Sequence, residues 1–181
     1  AWAGFLHGGA IAREALEKDW IGDQKMQSVF AATRLLGAPL GFAYALQGLA
    51  ALAALAALAP LASRAHPGPA AAAAVVPASL LASPFLLDYD LMLIAIPLAW
   101  LAGEGRRTGF LPWEKAGLIA GFLLPLVSRL AATAVGLPLG PPTMAAVFAL
   151  ALRRCRLPAT AGAAAPGATA ARAGWSEIQR L

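Results

Sequence analysis

Charge is sparse in this chain, and cysteine and histidine are nearly absent. Its 181 residues include one cysteine, Cys155, and two histidines, His7 and His66. A single cysteine excludes an internal disulfide and any cysteine-based metal cluster. No His/Asp set falls at metal-ligand spacing, no glycine loop suits a nucleotide phosphate, and no Ser-His-Asp arrangement is recognisable. Neither a metal nor a cofactor is expected. His7 beside Gly8-Gly9 reads either as a base at an acceptor site or as a helix-terminal residue, and His66 before Pro67 as a solvated turn. No internal repeat is found, which counts against a transporter built from inverted halves. The net charge is +5, yet the basic residues are scattered and form no stripe with interleaved aromatics. Nucleic acid is not an expected partner.

Apolar residues are what the chain has in excess. They make up 60% of it and charged residues 13%, against roughly 25% charged in ordinary soluble domains. The composition predicts an all-α, polytopic membrane protein. A hydrocarbon core of ~30 Å needs about 20 helical residues per crossing. Pro39 to Ala62 meets that length without a charge, and its alanine-leucine run suits close helix packing. Ala70 to Gly103 is apolar except at Asp88 and Asp90 and is long enough for two short crossings. Ala116 to Leu152 is broken at Gly136-Leu137-Pro138-Leu139-Gly140-Pro141-Pro142, which stops a helix on several counts. Five crossings are therefore predicted, over 38–62, 70–87, 90–103, 116–134 and 141–153. They form a membrane part spanning 1–155; residues 156–181, rich in Ala, Gly and Pro, are expected to be a disordered cytoplasmic tail. Ala1 to Ala12 lacks the basic start and cleavage site of a signal peptide. It reads as the end of an earlier membrane helix, which makes the chain the C-terminal part of a longer protein; a trimmed terminus is the other reading.

Charge tests that count. On alternate loops, one side receives Arg64, Arg106, Arg107, Lys115, Arg153, Arg154, Arg156, Arg172 and Arg180, nine of the 14 basic residues. The other receives Arg13, Lys18, Lys25 and Arg34, with Arg129 near its helix end, and six of the nine acids. The positive-inside rule then puts the basic loops and the C-terminus in the cytoplasm of a plasma (inner) membrane protein. A single broken helix across 70–103 would lose the bias.

The triplet Asp88-Tyr89-Asp90 lies between two charge-free runs, on the extracytoplasmic side by this count. A lone charge in hydrocarbon costs several kcal/mol, so these carboxylates must face water, a cation or a hydrogen-bond donor. Asp88 can cap the helix that follows; that leaves the second carboxylate and Tyr89 unexplained. A recessed acidic turn can bind sugar hydroxyls, a cation or a basic partner. Arg129, in an otherwise apolar helix, is expected to pair with this turn or to hold a lipid phosphate. Ala12 to Leu36 shows apolar residues near helical spacing, with Gly22-Asp23 between its halves. Two helices lying in the interface are predicted over 12–36, with Trp20 at headgroup depth and Lys25, Ser28 and Arg34 on the second half. Lys25 and Arg34 either snorkel to headgroups or bind a phosphate near the membrane surface.

Two stretches carry a resemblance: Lys25-Met26-Gln27-Ser28-Val29-Phe30 continuing to Gly37, and Ser83-Pro84-Phe85-Leu86-Leu87-Asp88-Tyr89-Asp90-Leu91 continuing through Trp100-Leu101. Both, in this order and separation, resemble blocks of glycosyltransferase family 87, also called the DUF2029 family. The likeness covers about residues 1–155. It implies the C-terminal part of a GT-C type membrane glycosyltransferase that takes a sugar, commonly mannose, from a polyprenyl-phosphate donor. A lipid or glycan acceptor on the extracytoplasmic face, with inversion at the anomeric carbon, is implied with it. The family's general base lies in an early extracytoplasmic loop that this chain does not include, so the resemblance assigns no catalytic residue, and the chain alone is expected to be inactive. Substrate contacts are expected at Lys25, Ser28, Arg34, Asp88, Tyr89, Asp90 and Arg129. A transporter and a structural membrane subunit are the competing readings.

Overall fold

The computed structural model describes residues 2–62 and 68–156, with side chains described from Gly8 onward. Arg64, His66, the His7 side chain and, of the tail predicted over 156–181, all but Arg156, which ends the last helix, lie outside the described residues. Seven α-helices follow in order: α1 Trp2–Glu17, α2 Val29–Leu35, α3 Leu40–Ala62, α4 Pro69–Ala82, α5 Ala95–Thr108, α6 Glu114–Val135 and α7 Gly140–Arg156. Two 3₁₀ segments, Asp23–Lys25 and Asp88–Ile94, precede α2 and α5. No β-strand occurs among the described residues. The class is all-α, as the hydropathy pattern predicts.

Local chemistry accounts for the boundaries. Ser28 caps α2, its Oγ accepting the Ala31 N–H at 3.1 Å. Pro69 opens α4, where its missing N–H has no partner to lose. That helix stops at Ala82 because Ser83 precedes Pro84, which forces extended backbone on the residue before it. Gly136 ends α6 in a left-handed conformation, φ 66°, available to glycine without strain. Pro141 and Pro142 sit in the first turn of α7, the one turn of a helix that tolerates them.

Two helices, α3 and α6, are long and apolar enough to cross a membrane. The segments drawn as the other three crossings are helical but differ in extent. The span drawn over 70–87 ends at Ala82, and its 14 residues rise only ~21 Å against a ~30 Å hydrocarbon core. The span drawn over 90–103 becomes the 3₁₀ segment through Ile94 followed by α5, which runs on to Thr108. Apolar composition could not reveal that the acidic triplet winds tightly instead of opening an α-helix. The pair predicted over 12–36 is also corrected. Helix α1 runs unbroken through Ala12 to Glu17, and Trp20 and Ile21 lie beyond its end, where Asp19 turns left-handed (φ 52°).

Helix α4 lies between α3 and α7, and α7 packs on α6. Its face of Ala71, Ala74 and Ala78 lets the backbones approach closely. Met144, Val147 and Ala151 of α7 and Leu101 of α5 complete the buried centre. Gly117 and Gly121 receive Leu150 and Val147 of α7, in space that a β-carbon would occupy. A smaller core of Leu16, Met26, Phe30, Ala31 and Ala43 fixes α1 and α2 to the start of α3. Gln47 of α3 bridges the two regions: its Oε1 accepts the Phe30 N–H and its Nε2 donates to the Leu81 carbonyl, both at 3.0 Å.

Candidate functional site

Helix ends gather in two clusters, one around Asp88, Arg129, Gln27 and Gly140, the other around Thr108, Glu114 and Arg154. One end is built around an isolated antiparallel bridge, Met26 to Leu87, with the Gln27 N–H donating to the Leu86 carbonyl at 2.7 Å. Gly140 closes this junction: a β-carbon there would lie 2.8 Å from the Gln27 carbonyl oxygen. The two sequence blocks around Lys25 and Asp88 thus meet in space, some sixty residues apart in the chain.

The two aspartates have different uses. Asp90 reaches back to accept the Leu87 N–H at 2.9 Å, so it caps the 3₁₀ segment. Capping was expected of Asp88; the structure gives it to Asp90, because a 3₁₀ turn brings its third residue's side chain over the preceding N–H. Asp88 accepts the Tyr89 N–H through Oδ1 and pairs through Oδ2 with Arg129 Nη1 at 3.2 Å. The expected link between Arg129 and the acidic turn is therefore present. The Arg129 side chain remains 57% exposed, and its bond to Asp88 uses one of its five N–H donors. Tyr89 is also exposed.

The cations on the other block separate. The segment Asp23–Lys25 packs against α6, the helix that carries Arg129. Lys25 is exposed and forms no ion pair among the described residues. Arg34 instead turns back to donate to the Ala38 carbonyl at 3.0 Å, closing the end of α2. Ser28 is fully buried and spent on its cap, which removes it from any ligand-facing role. The cationic surface thus reduces to Lys25 and Arg129, framed by Asp88 and Tyr89.

Sequence reasoning missed two neighbours. Gln27 is 2% exposed, and its Nε2 has no hydrogen-bond partner among the described residues. Asp23 Oδ1 is similarly buried and unpaired. Burial pushes the Asp23 carboxyl above its ordinary range and the nearby Asp19 adds to this, while Arg34 opposes it. Neither residue stands out in one dimension, since both lie in a short polar stretch that reads as loop.

The opposite end holds a second network. Arg154 clamps Glu114 through Nε at 2.7 Å and Nη2 at 2.5 Å, donates to Thr108 Oγ1 at 2.8 Å, and to the Gly109 carbonyl at 2.8 Å. Glu114 also accepts the Leu111 N–H at 2.8 Å. Four of the five Arg154 N–H donors are matched and its side chain is 5% exposed, so this network joins α5, α6 and α7 as a structural tie. No group of three or more His, Cys, Asp or Glu able to hold a metal occurs among the described residues.

No protein-family model, no curated protein and no solved structure matches the chain.

Proposed function

We propose that this chain is a multi-pass membrane domain whose acidic-turn end, on the extracytoplasmic face, binds the phosphate-sugar head of a polyprenyl-phosphate donor for glycosyl transfer. Embedding is supported by the two long apolar helices, in which only 17% of each apolar window is buried within the protein. The core helix of a soluble protein would be mostly buried, and exposed leucines in such a row belong in lipid. Phe42, Leu46, Leu49, Leu52 and Leu55 form that row on α3. The charge distribution supports the orientation. Among described residues, the Arg154 end carries six basic and two acidic groups; the acidic-turn end, with Arg13, Glu14 and Glu17 of α1, carries five and six.

One observation carries the donor site: Arg129 is held by Asp88 beside the strand-like junction that joins the two blocks resembling glycosyltransferase family 87. A phosphate leaving group is stabilised by fixed positive charge aimed at it. Arg129 offers unpaired N–H donors in a planar fork, and Lys25 offers a mobile ammonium. Asp88 positions Arg129, and Tyr89 lies exposed beside it in the chain. The general base lies outside this set, so the site's part in the reaction is to hold the donor. Binding of a polyprenyl-phosphate mannose by the chain in nanodiscs tests this directly. Lys25→Ala and Arg129→Ala should each weaken it by roughly tenfold, the worth of one charge-assisted hydrogen bond. Unchanged affinity in both would remove the phosphate role.

The same geometry favours one second reading. Asp90 as cap and Asp88 as ion-pair partner each complete a structural use, which a scaffolding subunit would need and nothing more. That subunit would show no donor binding in the wild-type chain.

A further inference from the structure

We infer that the end of the bundle opposite the acidic turn carries an anionic-phospholipid site, built on the loop between α5 and α6. This rests on the proposed bilayer-embedded reading, since the loop leads into α6. The loop holds Trp113 in a left-handed conformation, φ 66°, that a non-glycine residue adopts only at a cost. Its surroundings enforce it. Glu114 accepts the Leu111 N–H, and Arg153 Nη1 donates to the Pro112 carbonyl at 3.0 Å. The result is an indole 83% exposed, immediately before a helix able to cross a membrane. In water that arrangement has a cost and no return; at headgroup depth it is what an interfacial tryptophan does.

Charge complementarity identifies the occupant. Phe110, Leu111, Pro112, Trp113 and Lys115 line an open groove of about 430 Å³. Lys115 Nζ stands 5.1 Å from the Phe110 ring centre, so its charge is held over the groove. Two basic residues at this end are already neutralised, Arg107 by Glu104 and Arg154 by Glu114. Arg106, Lys115, Arg153 and Arg156 are exposed and form no ion pair among the described residues, Arg153 feeling the Glu114 charge only at longer range. A groove with aromatic edges, Lys115 over it and Arg153 bonded to its Pro112 carbonyl, at an end that also carries the exposed Arg106 and Arg156, fits a phospholipid of net negative headgroup, its acyl chains continuing along α6.

The full chain in nanodiscs of mixed phosphatidylcholine and phosphatidylglycerol tests the site. Lipid retained after detergent extraction should be enriched in phosphatidylglycerol. Lys115→Gln with Arg153→Gln should reduce that enrichment roughly tenfold, since each basic side chain near a membrane surface contributes a severalfold preference. Arg107→Gln, which removes a paired charge, should not. Brominated phosphatidylglycerol should quench wild-type tryptophan emission more than brominated phosphatidylcholine does, and Trp113→Phe should abolish the difference. If the double variant is too unstable to purify, salt substitutes for it: wild-type enrichment should fall as ionic strength rises. Equal retention of both lipids, or enrichment indifferent to salt, overturns the site while leaving the embedded reading intact. Failure of the chain to insert overturns the embedded reading and the site with it.

Discussion

Arg154 lays its guanidinium flat against the Glu114 carboxylate, two hydrogen bonds joining side chains that are 5% and 0% exposed. The pair lies forty residues apart in sequence and ties the start of α6 to the end of α7. Removing one partner leaves the other charge buried and unpaired, so Glu114→Gln should cost about 3–5 kcal/mol. Glu114→Leu with Arg154→Met should recover much of that loss, because no charge is left stranded. Thermal unfolding in detergent reads both; a double variant no better than the single would show that the loss is not electrostatic.

The two aspartates of the triplet should differ in the opposite order from their apparent importance. Asp88 and Arg129 form a partly exposed pair, so Asp88→Asn should shift stability by less than about 1 kcal/mol. Asp90→Ala removes a cap and should cost about 1 kcal/mol or somewhat more. Donor binding should reverse the ranking, with Asp88→Asn the more damaging because it releases Arg129.

At Gly140 a methyl group would meet the Gln27 side chain at 2.6 Å and its backbone oxygen at 2.8 Å. Backbone cannot move aside cheaply, so Gly140→Ala should destabilise by about 1–3 kcal/mol. Gly48→Ala, with nothing within 4 Å, should be neutral or slightly stabilising in a helix. Equal effects at the two sites would mean that the junction between residues 26–27 and α7 is not formed.

Gln47 serves two backbone groups that have no other partner within reach, the first-turn N–H of Phe30 and the Leu81 carbonyl at the end of α4. Gln47→Leu should destabilise by roughly 2–4 kcal/mol, the cost of two orphaned groups. Hydrogen exchange at Phe30 should accelerate in the variant, and unchanged protection would count against the contact.

Asp23 has a raised carboxyl pKa from burial and from Asp19. The folded state therefore binds this proton more tightly than the unfolded chain, and its contribution to stability is fully present below the unfolded value of about 4. It is lost as pH rises through the folded pKa, leaving a constant penalty at neutral pH. Asp23→Asn should stabilise the protein at pH 7, and the gain should vanish at about pH 3. Unfolding midpoints across that range provide the check; a gain that persists at low pH would have another cause.

Much of the fold was legible in one dimension. Long hydrophobic runs, free of charge in α3 and interrupted only by Arg129 in α6, exposed both helices within two residues of their observed ends, because a long apolar helix is specified by composition along its own length. The Gly/Pro cluster at 136–142 marked the stop at Gly136 in the same local way, whereas the stop at Ala82, set by Pro84, was passed over in a span drawn to residue 87. The site was legible in part. Arg129 and the acidic turn could be paired from depth and charge alone, since isolated opposite charges in apolar surroundings have few other solutions.

Local composition is enough for helix placement, end chemistry and the separation of basic from acidic loops, because each depends on residues close in sequence. It is not enough to divide labour among polar residues. Whether Ser28 faces a ligand or is buried on its cap, whether Arg154 is a free surface charge or Glu114's partner, and whether Asp88 or Asp90 makes the cap depend on burial by other helices, on a group forty residues away, and on a 3₁₀ winding that apolar flanks do not specify. Those outcomes are set by packing, which spends a polar group on whichever buried neighbour would otherwise go unsatisfied.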